Sequence, residues 1–359
     1  MEQSLLEGIR VLDFTQYAPG PYATRLLCDL GAEVIKIEAP NGDPMRGMFH
    51  TGPELLSSIY QFLNKGKQIA RLNLKDKSVV RDLEPLIKSA DVLLESFRPG
   101  VMNRLGLSET RCHQLNPGLV YCSLTGYGQD GPSLNAAGHD INYCAAAGFL
   151  SFIEDPKPMF PLVADHSGSM NAVNAILAAL VSRLKTGQGS YLDIALYEAI
   201  LGWQYPAIGN VQNQVNTELT LLTGGAACYN IYQTLDGRHV TLGALEEKFW
   251  VNFCQALGKT DWISRQYETY PQQALIDEVR SLIKNDTLAN WCKLFEKVDC
   301  CFEPIPLPSE IFDHPQTAAR GLTQNYSMAY PGKIDRKSCR NDNTLQDLEP
   351  TQIPKWREQ

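Results

Sequence analysis

The amino-acid sequence predicts an α/β protein whose parallel sheet is covered by helices. Over the first hundred residues, short strand patterns such as Arg10–Phe14 and Glu33–Glu38 alternate with helical patterns such as Pro21–Leu30. Alternation of this kind is typical of parallel βαβ units. The chain has 359 residues, and single hydrophobic cores stop growing at about 250–300 residues. We therefore expect two domains, or one large domain with a sizeable insertion.

The remaining elements of the large domain follow the same alternation. Further strand patterns occupy Gln68–Leu74, Asp91–Phe97, Gly118–Leu124 and Asp193–Ala199, and further helical patterns occupy Lys77–Ala90 and about Ser167 to Lys185. Pro85 should make the first of these helices irregular, since proline lacks the backbone N–H that a helix needs. The glycines of Thr186-Gly-Gln-Gly189 should end the second, because glycine readily adopts the left-handed cap conformation.

The domain boundaries follow from changes in composition. We expect a large domain over 1–209, a polar connector over 210–224, a small domain over 225–325 and a segment over 326–359 that returns to the large domain. Within the small domain the patterns predict a strand and two helices, followed by an extended segment at Pro304, Pro306 and Pro308. The strand is Arg238–Ala244, and the helices are Phe249–Leu257 and Thr287–Val298.

Composition and charge exclude several classes of function. The net charge of −8 argues against a general nucleic-acid binder, which needs a positive field. No apolar window of about 18 residues suggests a membrane span, and no secretory signal is recognised, so a cytoplasmic location is expected. The ten cysteines lack CxxC spacing and read as reduced thiols. Metal-site spacings such as HxxxH are absent, and no glycine pattern matches a dinucleotide fingerprint, so no cofactor is predicted.

Ionisable residues at three separate places point toward an enzyme. They are His139 and Asp140 in AGHDINY, Asp165 in PLVADHSGS, and Glu246 in GALEEKFW. Each lies beside an apolar or small-residue segment, where a charged side chain is costly unless it is used. One imidazole and separate carboxylates are the groups needed to remove a proton from one face of a carbon and return it to the other.

Structural roles remain open for each of these residues at this point. Asp140 could cap a helix, with His139 hydrogen-bonded beside it, and Asp165 could cap the long helix. Glu246 could be a surface carboxylate in a turn. If a helix begins near His139, however, its free N–H groups would favour developing negative charge on an enolate or carbonyl oxygen.

The sequence offers Arg98 and a separate cluster of five cations as positive charges that a phosphate could meet. Arg98 follows a predicted strand, at the carboxyl edge where ligands bind in open α/β sheets, and its planar guanidinium suits phosphate. The cluster, which only Asp76 opposes, reads most simply as a solvated face around a strand. Its members are Lys65, Lys67, Arg71, Lys75 and Lys77.

Seven segments, in order along the chain, resemble the family III CoA-transferases. They are GIRVLDFTQYAPGPYATRLLCDLGAEVIKIEAP, ESFRPGVMNRLGLS, LTGYGQDGP, AGHDINY, KTGQGSYLDIAL, TGGAACYNIYQTLDGRHVTLGALEEKFW and HPQTAARG. Within that family, AGHDINY together with the glutamate of GALEEKFW resembles the α-methylacyl-CoA racemase branch. The resemblance implies a Rossmann-like large domain joined to a smaller α+β domain, and two such chains that interlock as a homodimer.

The resemblance also implies roles for the ionisable residues. His139 would serve one face of the substrate's α-carbon, oriented by Glu246, and Asp165 would serve the other. The backbone N–H of Asp140 would point at the thioester carbonyl oxygen. The expected reaction is racemisation or epimerisation of a 2-methylacyl-CoA thioester, in which CoA is part of the substrate and no cofactor is needed.

The same resemblance assigns the CoA contacts and leaves alternatives. Arg98 would contact a CoA phosphate, and Lys65 and Arg71 are weaker candidates for the same pocket. Two other functions stay open: a CoA-transferase that uses Asp165 as its nucleophile, and a CoA-binding protein without chemistry.

One departure from the racemase pattern concerns the residues after the aspartate. Racemase relatives tend to carry an aromatic residue and then glycines, whereas this chain has His166, Ser167, Gly168 and Ser169. The polar groups of His166 and Ser167 could shift the pKa of Asp165, admit a polar acyl chain or accompany a changed reaction.

Overall fold

The computed structural model describes residues 4–48, 56–153, 155–205, 207, 209, 220–324, 327–339 and 343–357. The chain folds into two compact units. Unit 1 comprises residues 1–150, 157–204 and 315–359, and unit 2 comprises residues 151–156 and 205–314. The predicted domain boundaries stay a prediction. This division differs from them in placing residues 151–156 and 205–224 in unit 2 and residues 315–325 in unit 1.

The secondary structure of the described residues is as follows. The strands are β1 (Arg10–Phe14), β2 (Glu33–Glu38), β3 (Gln68–Arg71), β4 (Val92–Glu95), β5 (Val120–Thr125), β6 (Ser190–Ala195), β7 (Tyr229–Gln233), β8 (His239–Gly243), β9 (Phe302–Pro304), β10 (Thr323–Gln324), β11 (Ser327–Met328), β12 (Lys333–Ile334), β13 (Lys337–Ser338) and β14 (Gln346–Asp347). The helices are α1 (Pro19–Asp29), α2 (Ser58–Asn64), α3 (Lys77–Asp82), α4 (Glu84–Ser89), α5 (Val101–Leu105), α6 (Glu109–Leu115), α7 (Asp140–Ala146), α8 (Val163–Thr186), α9 (Leu196–Leu201), α10 (Glu247–Ala256), α11 (Gln273–Ile283), α12 (Leu288–Phe295) and α13 (Pro315–Arg320).

Unit 1 is built on a seven-stranded sheet of order β14-β3-β2-β1-β4-β5-β6. Every pairing in it is parallel. The order runs outward from β1 to β3 and then resumes on the other side of β1 with β4. The connection after β1 therefore runs toward one edge of the sheet, and the connection after β4 runs toward the other edge. Such a switch point opens a crevice at the carboxyl ends of the strands.

Helices cover both faces of this sheet. Successive side chains of a strand point to opposite faces, and the strands carry apolar residues on both, so each face needs a cover. In β1, Val11 belongs to the apolar core shared with α1 and α8, whereas Leu12 and Phe14 belong to the core shared with α4, α5 and α6. All six residues of β5 are buried, which is typical of a central parallel strand. The prediction of an α/β fold with a parallel sheet is confirmed.

Unit 2 contains a three-stranded antiparallel sheet of order β7-β8-β9. Its core is rich in aromatic side chains, with Trp250 and Phe253 of α10 stacked at a ring-centroid distance of 5.5 Å. The sequence patterns missed β7 and α11. The five residues of β7 give only a short pattern, whereas α11 buries Leu275, Ile276, Val279 and Ile283 at helical spacing, a signal that the sequence did contain.

Several predicted elements differ from the structure. The strand at Gln68–Leu74 ends at Arg71, and the helix at Lys77–Ala90 is divided at Leu83, consistent with the expected effect of Pro85. The predicted strand Asp193–Ala199 was wrong in its second half. The strand ends at Ala195 and α9 begins at Leu196, since small and aliphatic residues permit either structure. Within the predicted connector, 210–219 lies outside the described residues.

Interpretation of the cation cluster as a solvated face was wrong for Lys67. Its ammonium is fully buried and donates to the Asp13 carboxylate at 3.1 Å, the Thr24 hydroxyl at 2.7 Å and the Asn64 side-chain oxygen at 3.1 Å. Burial lowers the pKa of Lys67 to about 8 despite the opposing effect of Asp13. A buried ammonium requires partners of this kind from elements distant in sequence, and a local charge pattern does not reveal them.

No helix in the described part of the chain is long and apolar enough to cross a membrane. The ten cysteines are free thiols. Among the described residues, no cluster of three or more His, Cys, Asp or Glu side chains could hold a metal ion.

Candidate active site

A cleft of about 420 Å³ opens in unit 1 where β1, β4 and β5 end. Its walls include the segments that follow these three strands, the loop before α7 and the first turn of α8. The lining residues on which a functional interpretation depends are Tyr17, Arg98, Gly138, His139, Tyr143 and Asp165. The cleft therefore lies at the carboxyl edge of the sheet beside the β1–β4 switch point, which is where open α/β sheets bind ligands.

Arg98 is exposed in this cleft, on the turn that follows β4. Two hydrogen bonds fix that turn. The buried Glu95 carboxylate accepts from the Phe97 N–H at 2.8 Å, and the Ser96 hydroxyl accepts from the Gln16 N–H at 3.2 Å. The second bond joins the turns after β1 and β4. The structure thus places Arg98 at the mouth of the sheet, and its contact with a CoA phosphate stays a prediction.

His139 immediately precedes α7 and lines the cleft. Its backbone N–H donates to the Asn142 side-chain oxygen at 3.1 Å, which fixes the start of the helix. Among the described residues, its ring makes no hydrogen bond to another side chain. The ring instead meets Tyr17 edge to face, at a centroid distance of 6.4 Å.

Tyr17 is a site residue that the sequence did not single out. Its φ of 63° lies in the left-handed region, where residues with a side chain are uncommon. The Asp43 carboxylate accepts from its N–H at 3.3 Å and helps to hold this conformation. Backbone strain of this kind clusters at functional sites. The sequence carries no signal for it, because Asp43 lies far along the chain.

Tyr143 is a second such residue, although it belongs to the AGHDINY segment. Its ring packs so closely on Gly126 and Gly138 that a Cβ at either glycine would come within 2.7 Å of the ring. Its hydroxyl donates to the Gly138 carbonyl at 2.6 Å and so fixes the residue before His139. Both glycines precede Tyr143 in the chain, and the sequence alone does not show that its ring packs on them.

Asp165 lies in the first turn of α8, which begins at Val163. The prediction that the helix starts at about Ser167 was wrong, and Asp165 does not cap it from outside. Its backbone N–H is one of those that a helix start leaves without an intrahelical partner. The Asp140 carboxylate accepts from this N–H at 3.0 Å, which allows the helix to begin earlier.

The carboxylate of Asp165 is buried, with only 9% of the residue exposed. Burial raises its pKa to about 7, and the nearby negative charge of Asp140 acts in the same direction. A carboxyl group with a pKa near neutrality can both accept and donate a proton under physiological conditions. Asp140 itself is buried and is the first residue of α7.

The other predicted site residues do not all meet in this cleft. Lys65 follows α2 and Arg71 ends β3, with its Nε 3.7 Å from the Asp347 carboxylate. Neither is among the described residues that line the cleft. Glu246 lies in unit 2, immediately before α10, and its role stays a prediction.

A family model described as CoA-transferase family III matches residues 6–355. The chain belongs to CoA-transferase family III. This family III protein is 33% identical over 327 residues to the α-methylacyl-CoA racemase of Mus musculus, covering 88% of this chain and 81% of the relative. It is 30% identical over 344 residues to the succinyl-CoA:glutarate CoA-transferase of Homo sapiens, covering 92% of this chain and 78% of the relative.

Its fold is also that of solved family structures. The crystal structure of Rv3272 from Mycobacterium tuberculosis superposes with a TM-score of 0.82 at 27% identity, over 96% of this chain and 97% of the other. Racemase and transferase relatives are thus similarly distant from this family III protein, which acts in the chemistry of acyl-CoA thioesters. Their names do not decide between the two reactions.

Proposed function

We propose that this protein is a racemase or epimerase of 2-methylacyl-CoA thioesters. The observation that carries the proposal is that His139 and Asp165 line one cleft, together with Arg98. A thioester bound there would have an imidazole and a carboxyl group beside its α-carbon. Two acid–base groups are what inversion at this carbon requires, because the proton must leave one face and arrive at the other.

The protonation state of Asp165 supports this chemistry. A general base works best when its pKa is close to the operating pH, and the pKa of Asp165 is about 7. As a base, the Asp165 carboxylate would take the α-proton, and the electron pair of the C–H bond would pass to the thioester carbonyl as an enolate. A protonated His139 would then return a proton to the opposite face of the α-carbon. The reverse sequence would convert the other enantiomer.

The enolate oxygen needs a partner because it carries the negative charge of the intermediate. The backbone N–H of Asp140 is proposed for this role, since the first residues of a helix have N–H groups without intrahelical partners. Arg98 is proposed to contact a CoA phosphate. Glu246 is proposed to orient His139, as the family resemblance implies, and the active form is proposed to be a homodimer.

A CoA-transferase is the second candidate, favoured by the similar identity to transferase relatives. Asp165 would then attack the thioester carbonyl, form an acyl anhydride and carry CoA as an aspartyl thioester. This route needs no second proton-transfer group beside the α-carbon. The imidazole of His139 in the same cleft is therefore the reason for preferring the racemase.

The two reactions can be separated with one enantiomerically pure 2-methylacyl-CoA. Chiral chromatography of the acyl group, with no carboxylic acid added, should reveal loss of optical purity. A second incubation with formate or succinate should leave CoA on the original acyl group. Retention of optical purity with movement of CoA to the added acid would replace the racemase by the transferase. Binding of the thioester without either change would instead indicate a CoA-binding protein without chemistry.

A further inference from the structure

A second pocket, of about 460 Å³, also borders Asp165. Its walls are almost entirely apolar and come from unit 1, including Tyr22, Met45, Ile59, Phe62, Phe160 and Leu162. Asp165 is shared with the cleft that contains His139 and Arg98. A thioester whose α-carbon lies at Asp165 could therefore extend its CoA moiety into one pocket and its acyl chain into the other. This placement rests on the proposed function.

The composition of the walls limits the chemistry of that acyl chain. Among the described residues that line the apolar pocket there is no lysine or arginine. A chain that ended in a carboxylate would lose its hydration there without gaining a permanent cation, and it would meet the negative charge of an ionised Asp165. Dicarboxylic acyl groups are thus disfavoured, whereas a hydrocarbon chain gains from burial.

His166 adds one of the few polar groups on this apolar surface, beside those of Tyr22, Ser58, Asp165 and Ser169. His166 follows Asp165 on α8, and its Nδ1 lies 2.6 Å from the Leu162 carbonyl oxygen. A carbonyl can only accept, so Nδ1 must donate and therefore carries the hydrogen. In the neutral ring, Nε2 then holds the lone pair, and it has no hydrogen-bond partner among the described residues.

The imidazole ring is also fixed in orientation. It meets the ring of Tyr22, another wall residue, edge to face at a centroid distance of 4.8 Å. The neighbouring Ser167 is different, because its hydroxyl donates to the Ala199 carbonyl at 3.2 Å and it does not line the pocket. Of the two polar residues that directly follow Asp165, only His166 is available to a ligand in this pocket.

We propose that the apolar pocket binds the acyl chain and that Nε2 of His166 accepts a hydrogen bond from a hydroxyl group on that chain. The favoured substrate is an apolar 2-methylacyl-CoA that carries a hydroxyl group within reach of α8. A neutral hydroxyl suits this site because it supplies the donor that Nε2 needs without placing a charge among apolar side chains. His166 is therefore a specificity-determining residue.

The test compares a plain 2-methylacyl-CoA with a set of derivatives of the same chain length, each with one hydroxyl group on a different carbon. For the unmodified protein, kcat/KM of racemisation should be about two- to tenfold higher for at least one derivative, as expected from one neutral hydrogen bond. His166→Phe retains an aromatic ring but removes both nitrogens, and it should abolish this preference. His166→Gln, which retains hydrogen-bonding atoms, should keep part of it.

The control is His239→Phe, the same change at an exposed position of β8, which should leave the preference unaltered. Thermal unfolding checks that each variant folds. A preference that survives His166→Phe, or an unmodified protein that prefers no hydroxylated derivative, would overturn the proposal. Dissociation constants of the same thioesters, measured by calorimetry, test the role of His166 independently of the proposed racemase activity. Absence of racemisation with every compound rejects the racemase, while the binding preference and its loss in His166→Phe still decide the role of His166.

Discussion

The Asp140 carboxylate accepts a hydrogen bond from the backbone N–H of Asp165 at 3.0 Å. This bond joins the first residue of α7 to the first turn of α8, so it fixes the two segments that present His139 and Asp165 to one cleft. The same carboxylate brings a negative charge close to the Asp165 side chain and raises its pKa. Asp140 thus acts through its neighbours, as a positioning residue.

Removing the charge of Asp140 should lower the pKa of Asp165. In Asp140→Asn the side-chain oxygen can still accept from the Asp165 N–H, but the like charge is lost. Burial, which is the larger cause, remains, so the pKa should fall below about 7 without returning to its ordinary value. The acid limb of the pH profile for the enantiomer deprotonated by Asp165 should move to lower pH. An unchanged acid limb, or one displaced to higher pH, would contradict this coupling.

The raised pKa of Asp165 also predicts how its replacement affects stability. A carboxyl group with a folded-state pKa of about 7 binds more protons folded than unfolded between pH about 4 and 7. Stability therefore falls as the pH rises through this window. Asp165→Asn removes that loss. The free energy of unfolding of the variant minus that of the parent should therefore be about 1–4 kcal/mol larger at pH about 8 than at pH about 4. Urea unfolding at the two pH values measures it, and a pH-independent difference would refute the assignment.

Replacement of His139 and replacement of Asp165 should impair α-proton abstraction from opposite enantiomers. His139→Ala should reduce α-proton abstraction from one enantiomer more severely than from the other, and Asp165→Asn should show the opposite bias, by about 10²-fold or more for a general base. Single-turnover exchange of each pure enantiomer into deuterated water gives the two rates. Equal losses for both enantiomers in each variant would exclude the assignment of one residue to each face.

Arg98 should contribute to CoA binding through its charge. Because hydrogen bonds to charged groups contribute about 1.5–3 kcal/mol, Arg98→Gln should weaken CoA binding by about 10- to 100-fold. Pantetheine, which lacks the phosphates, should bind the variant and the parent equally. Calorimetry measures both ligands. Arg81→Gln, at an exposed position of α3, is the matched control and should not change either affinity. Equal weakening for CoA and pantetheine would argue against a phosphate contact.

The alternation of strand and helix patterns was sufficient to predict the sheet of unit 1. Strands such as Arg10–Phe14 and Glu33–Glu38 were predicted with the bounds that the structure has, because each carries short aliphatic patterns between helical or turn-forming segments. The start of α8 was not predictable in the same way. It depends on the Asp140 carboxylate, which lies 25 positions earlier in the chain.

The residues of the candidate site also fall into two groups, those that the sequence identified and those that it did not. His139, Asp165 and Arg98 could be identified from residue types and segment order, and the structure brings these three into one cleft. The contributions of Tyr17 and Tyr143 could not, because they depend on a left-handed backbone and on ring packing against two glycines. Such features arise from contacts between distant segments, which a one-dimensional pattern does not contain.

The central claim is proton transfer at the α-carbon, and one incubation tests it most directly. A single enantiomer of a 2-methylacyl-CoA is incubated with the protein in deuterated water, with no carboxylic acid added, and its mass and optical purity are followed together. The account predicts a gain of one mass unit at the α-carbon that accompanies loss of optical purity. A substrate that binds, as calorimetry would show, yet keeps both its hydrogen and its configuration would contradict it.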